Sequence, residues 1–200
     1  MRPRRYGDAG QAFPIYITVV GGLLFLAFAY FAVGQAAVNR NGAQTAADAA
    51  ALAAAQDTRD QLAGKWVEDV LDPAKWRIIF NGTVDGLLPS CGRADQLAAR
   101  NDAGVISCGP NGPLGFKVEV KTNKPVGDSV VPTTENRKSH ASAIAVIEPL
   151  CTFPPPAEDA GDGVLPRLSC KGGRNWDLNP DDLTDLPGPE DLFDVHLADQ

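Results

Sequence analysis

Four cysteines and two histidines are the side chains best suited to chemistry in this chain, and their spacing decides which chemistry. Cys91, Cys108, Cys151 and Cys170 are separated by 17, 43 and 19 residues, with no C-x-x-C pair. Zinc sites bring their ligands in close pairs, so two disulfides in an oxidising compartment account for these residues better than a metal. Four cysteines allow three connectivities. Cys91–Cys108 with Cys151–Cys170 is favoured because each closes a local loop rich in Gly and Pro. His140 lies in the run SHASAI and His196 in an acidic segment. A lone histidine in a strand is more often a surface residue than a catalytic base.

Other motifs fail on context. There is no G-x-S-x-G elbow. Gly127-Asp128-Ser129 looks like the start of a GDSL hydrolase motif, but no strand leads into it, and its acid and histidine would have to come from the distant end of the chain. Lys171-Gly172-Gly173 lacks the spacing of a phosphate loop. Asp177-Leu178-Asn179-Pro180-Asp181-Asp182 begins like a calcium loop, yet Asp182 stands where the turn glycine belongs and Gly188 where the bidentate acid belongs. Asn81-Gly82-Thr83 is formally a glycosylation sequon and reads as a turn. No enzyme activity, metal or cofactor is expected.

The elements that must carry these residues divide sharply. No charged side chain occurs from Ala9 through Asn39, and Ile15 to Val38 is dominated by aliphatic and aromatic residues. A helix of that length reaches roughly 36 Å, enough to cross a bilayer core of about 30 Å. Arg2, Arg4 and Arg5 precede it and a single Arg40 follows. The positive-inside rule puts the N-terminus in the cytoplasm and residues 40–200 outside. Ala27-Phe28-Ala29 offers a rival reading as a signal-peptide cleavage site, but the apolar stretch continues well beyond it. The net charge of -7 is uneven, because residues 157–200 hold eleven acids against three bases. Nucleic acid is not an expected partner.

Beyond the anchor, Asn39-Arg40-Asn41-Gly42 would either cap one helix and open another or form a soft spot in a continuous rod. Ala43 to Ala55 reads AQTAADAAALAAA, nine alanines in thirteen residues, with helix propensity near its maximum. Leu62, Ala63, Trp66, Val67, Val70 and Leu71 then form an apolar stripe at helical spacing, ended by Asp72-Pro73. Trp76 to Phe80 (WRIIF), closed by Asn81-Gly82, reads as a short strand. Residues 83–114 read as a disulfide-stapled loop with a short helix at Asp95 to Arg100. Gly115 to Thr122 (GFKVEVKT) and Ser139 to Glu148 (SHASAIAVIE) read as antiparallel strands joined by an exposed connection over 123–138. Pro154-Pro155-Pro156 is stiff and extended, and 157–200 reads as an acidic, partly disordered tail.

Gly10-Gln11 entering an anchor, followed by Arg40-Asn41-Gly42-Ala43-Gln44-Thr45-Ala46-Ala47-Asp48-Ala49-Ala50-Ala51-Leu52-Ala53-Ala54-Ala55, resembles the N-terminal segment of the TadE/TadG-like (tight adherence, Flp-type) pilus-assembly family. The resemblance covers about residues 5–58. It implies a bacterial envelope protein related to pseudopilins, structural and without an activity of its own. Processed prepilins carry Glu five residues after the glycine at the cut, where this chain has Ile15 after Gly10. Partners implied are the membrane and other pilus-assembly or pseudopilin-like subunits, including further copies of this chain. A small-residue helix lets a neighbouring helix approach closely. Gln44, Ala47, Asp48, Ala51, Leu52 and Ala55 are the expected helix-packing positions; a stalk that packs on nothing is the alternative.

The expected fold is α+β. A basic tail (1–12), a transmembrane helix (13–38) and an Ala-rich amphipathic helix (39–72) form a pilin-like rod. A small extracytoplasmic domain with an antiparallel sheet (73–150) and a Pro-rich, acidic C-terminal segment (151–200) follow. The stripe Leu62 to Leu71 is expected to pack on strand faces carrying Phe116, Val118, Val120, Ile144, Val146 and Ile147. The expected function is a structural or accessory part of a Tad-like pilus or secretion assembly. The alternative is a tethered module whose loops contact cell wall, polysaccharide or another protein.

Overall fold

The computed structural model describes residues 12–125, 136–155 and 165–199. Helix α1 runs unbroken from Ala12 to Glu68, 57 residues, and spans roughly 85 Å at about 1.5 Å per residue. Asn39–Gly42 is therefore part of a continuous rod. A glycine inside a helix costs about 1 kcal/mol relative to alanine, and the alanines that follow Gly42 are the residues best able to carry it. Asn39 does not cap. Its amide nitrogen donates to the carbonyls of Lys124 and Pro125 at 3.5 and 3.3 Å, tying the rod to the end of the sheet.

Two short helices follow. α2 (Pro73–Phe80) replaces the strand expected at Trp76–Phe80. Its burial shows why: Trp76, Ile79 and Phe80 are buried while Ile78 is 44% exposed. That is an i, i+3, i+4 face; a strand would have buried Ile78 and exposed Ile79. Pro73 occupies the first turn of α2, where its missing N–H is harmless, so Asp72-Pro73 separates two helices and starts the second. Asn81-Gly82 ends α2 with Gly82 at φ 67°, and its N–H donates to the Ile79 carbonyl at 2.9 Å. A β-carbon there would stand 2.6 Å from the Leu114 side chain, so the site needs glycine on two counts. α3 (Cys91–Arg100) contains and extends the helix expected at Asp95–Arg100.

The main sheet has the order β1-β2-β3-β7, with every neighbour antiparallel. It comprises β1 (Ala103–Pro110), β2 (Gly115–Thr122), β3 (His140–Pro149) and β7 (Phe193–Leu197). β1 lies in the region expected to be loop, and β7 in the region expected to be an acidic tail. Within β3 the residues facing the core are Ala143, Ala145 and Ile147; Ile144 and Val146 are on the other face. Adjacent strand residues point in opposite directions, so Val146 and Ile147 cannot both face inward. A smaller sheet, β4 (Cys151–Thr152), β5 (Leu168–Cys170) and β6 (Asn175–Trp176), adds Cys151 and Leu168 to the same core. Between it and β7 lies a single turn of helix, α4 (Pro189–Leu192).

The core sits between the second half of α1 and the sheet. At its far end is an aromatic chain in which Trp66 meets Trp76 at 5.5 Å between ring centroids, Trp76 meets Phe153 at 5.3 Å, and Phe80 meets Phe153 and Phe193 at 5.4 and 5.1 Å. The two contacts of Phe153 are edge-on and the other two tilted, and aromatic pairs of this kind add to the stabilisation from burial alone. Of the stripe expected to pack there, Leu62, Ala63, Trp66 and Val70 are buried, whereas Val67 and Leu71 are exposed.

Candidate functional site

The site is α1 itself, because its two halves offer opposite surfaces. From Phe13 to Val38 every large apolar side chain except half-buried Val20 is exposed, with Phe25 at 73% and Tyr30 at 84%. None of the apolar stretch is buried among the described residues of the protein. The helix is long and apolar enough to cross a membrane. So large a bare apolar surface requires a cover.

From Ala43 the same helix is sunk into the domain. Ala43, Ala46, Ala47, Ala50, Ala51, Ala54 and Ala55 are all fully buried. α1 packs against β2, β3 and β7 on one side and α3 on another, where Ala94 and Ala98 are buried in turn. Small side chains on both helices allow backbones to approach closely without overlap. Of the six expected packing positions, Ala47, Ala51 and Ala55 thus pack against elements of this same chain. Leu52 is half-buried at the edge of the core. Gln44 and Asp48 pair as their spacing suggests, with the Gln44 amide donating to Asp48 Oδ1 at 2.8 Å. The same amide reaches the Ser142 carbonyl of β3 at 3.4 Å.

Polar groups lock α3 to α1. Thr58 Oγ1 and Ser90 Oγ lie 2.7 Å apart in a buried contact. Gln61 accepts from the Leu88 N–H at 2.6 Å and donates to the Leu88 carbonyl at 3.2 Å, so one amide side chain acts as a strand-like partner for the segment before α3. The disulfide Cys91–Cys108 then joins the start of α3 to β1, and Cys151–Cys170 joins two directly paired residues of the small sheet. Sequence reasoning found both disulfides and missed Thr58, Ser90 and Gln61. Thr58 gave a signal, as a polar residue at helical spacing among buried alanines.

What α1 leaves open in this half is a narrow stripe of Thr45, Gln56, Asp60, Gly64, Val67 and Glu68. Alongside it runs a groove of about 410 Å³ between α1 and α3, floored by Ala49, Leu52 and Leu97 and rimmed by Arg93 and Arg100. The remaining chemical candidates stand apart. His140 is exposed at the start of β3, and Gly127-Asp128-Ser129 lies outside the described residues. In the loop resembling a calcium site, Asn179 Oδ1 accepts the Asp181 N–H at 3.0 Å. The Thr184 hydroxyl and N–H both donate to Asp182 Oδ1, at 2.6 and 3.2 Å. These two bonds hold the Asp182 carboxyl below its usual pKa of 3.8 and make the loop a self-satisfied turn. Lys65 and Lys75 are raised above 10.5, chiefly by hydrogen bonds to Glu68 and Asp69 respectively.

A long helix, bare and apolar in its first half and covered by an antiparallel sheet in its second, defines an α+β protein with a candidate transmembrane helix. Residues 10–57 match a protein-family model described as Tad, Putative Flp pilus-assembly TadE/G-like, which is about a quarter of the chain. No curated protein and no solved structure matches the chain. The matched segment contains the bare half of α1 and the buried alanines together.

Proposed function

We propose that this protein is a membrane-anchored structural or accessory component of a Tad/Flp-like pilus or secretion assembly. In this reading residues 1–12 lie in the cytoplasm, because Arg2, Arg4 and Arg5 precede the anchor, and the disulfide-bonded domain lies outside. The observation that carries the reading is the continuity of α1: one rigid helix passes from a lipid-compatible surface into the core of a folded domain, within a segment matching pilus-assembly proteins. Since the domain itself fills most of the alanine face, packing between subunits falls to the bare half of α1, to the open stripe that includes Thr45 and Gln56, and to the groove beside it floored by Ala49 and Leu52.

Single cysteines placed along α1 in intact cells test this. Crosslinks between subunits are expected with helical periodicity at Phe28, Ala32, Thr45 and Gln56, and none at buried Ala47 or Ala51. Uniform failure at the exposed positions would leave α1 as a tether and favour the alternative of a surface binding module.

A further inference from the structure

We propose that Glu148, Asp194 and His196 form a binding site for one divalent first-row transition metal ion such as Zn²⁺, on the outer face of the main sheet. Glu148 lies on β3 and is the direct cross-strand partner of Asp194 on β7. His196 is two residues further along β7, so all three project from the face opposite the core. One ligand atom from each lies within 4.8 Å of the others.

The strands fix this convergence, because register sets which residues meet and no loop need move. His196 Nδ1 and Asp194 Oδ2 are 3.0 Å apart. With metal–ligand bonds of about 2.1 Å, neighbouring donors around one ion stand about 3.0 Å apart in an octahedron and about 3.4 Å in a tetrahedron. The pair is therefore already at coordination spacing, and the proton of a hydrogen bond between the two atoms would lie where the ion would be. Binding moves that proton to Nε2 or to water, and the imidazole enters as a neutral ligand.

Like charges directly opposite on paired strands are unfavourable, and Glu148 with Asp194 is such a pair. Lys171 offsets it in part by an ion pair to Glu148. The N–H of Lys171 donates to the Leu150 carbonyl at 2.8 Å, which keeps that cation beside the site. Two carboxylates and one ammonium beside the imidazole sum to a single negative charge, which a divalent ion reverses. One nitrogen and two oxygen donors suit zinc and its neighbours better than calcium or magnesium, which take oxygen. All three groups border solvent, so water completes the coordination. The ion would fasten β7, an edge strand, to β3, as the disulfides fasten α3 to β1 and β4 to β5.

The test uses the full chain in detergent, stripped of metal and titrated with Zn²⁺ at pH 7.5 by calorimetry and by thermal melting. One ion per chain, a raised melting temperature, and at least tenfold weaker binding in both His196→Ala and Glu148→Gln are expected. His140→Ala, which alters the other histidine of the chain, is expected to bind as the parent does. Circular dichroism of the metal-free variants checks that they fold, since the altered side chains are on the outer face. Absence of binding, equal binding by His196→Ala, or loss of binding in His140→Ala would overturn the proposal. None of these results depends on whether the protein assembles into a pilus.

Discussion

The two halves of α1 share one backbone and differ in side-chain volume. Phe13 to Val38 carries Phe, Leu, Ile, Val and Tyr on all sides and stays almost wholly exposed among the described residues; Ala43 to Ala55 carries mainly alanine and is largely buried. Both are apolar, so hydrophobicity alone does not distinguish them. Size does. A surface that meets fluid lipid gains from bulk all round its circumference, whereas one wedged between a sheet and a second helix must be thin. The lesson is that an alanine run after a membrane span marks where the rod enters its own domain.

Charge should separate the halves most strongly. A lysine near the centre of a membrane helix costs about 2.5–3.5 kcal/mol of insertion free energy. Phe25→Lys is therefore expected to lower the membrane-inserted fraction in a translocation assay, while Gln56→Lys, on the exposed stripe, leaves insertion and melting unchanged. Equal tolerance of the two would break the comparison, since it would mean that the bare half of α1 does not meet lipid.

Added volume should act in the opposite place. Ala51 is fully buried in the core, and forcing extra methylenes into a well-packed core costs about 1–3 kcal/mol. Ala51→Leu is expected to lower the stability of the domain by that amount in denaturant unfolding. Ala27→Leu, an identical change in the bare half, is expected to leave the unfolding midpoint where it was. A null result at Ala51 would mean that the core is loosely packed around α1.

This division was only partly legible in the sequence. The bare half of α1 was plain because thirty-one consecutive residues, Ala9 to Asn39, lack charge. β2 was plain because Phe116, Val118 and Val120 alternate strictly with Lys117, Glu119 and Lys121. The buried alanines were not, because a face made of the same residue as its surroundings has no period to read. β1 was obscured by two glycines, a terminal proline and an irregularity between Val105 and Ser107. β7 carried a clear alternation, Phe193, Val195 and Leu197 against Asp194 and His196, which the acidity of the whole segment masked. In WRIIF the run was too short for apolar content to separate a strand from a helix, and the preceding Pro73 was the better signal. Both disulfides were legible from local spacing. The cross-strand meeting of Glu148 and Asp194 was not, because it depends on a register that neither strand specifies alone.

The smallest expected effect is that of pH, and it should fall on one side of the comparison only. Between Ala12 and Asn39 there is no carboxylate, ammonium, guanidinium or imidazole, so acid has nothing to act on there and the phenols of Tyr16 and Tyr30 are the ionisable side chains that alkali meets. The domain has several. Lys75 of α2 contacts Asp69 and Asp72, at 2.6 and 3.6 Å, across the turn that leaves α1. Those partners raise its folded-state pKa above 10.5, so the stability it contributes is fully present below 10.5 and is lost as pH rises through the folded value. Asp182 behaves in the opposite sense. Its folded pKa is below 3.8, so its contribution is present above 3.8 and is lost as pH falls through the lower value. Both groups are exposed and screened by solvent, so each effect is expected to be slight. Melting followed from pH 9 to 11.5 should show a small alkaline loss that Lys75→Met reduces. An undiminished loss in that variant would remove the Lys75–Asp69 pair from the account of how α2 is held against the end of the rod.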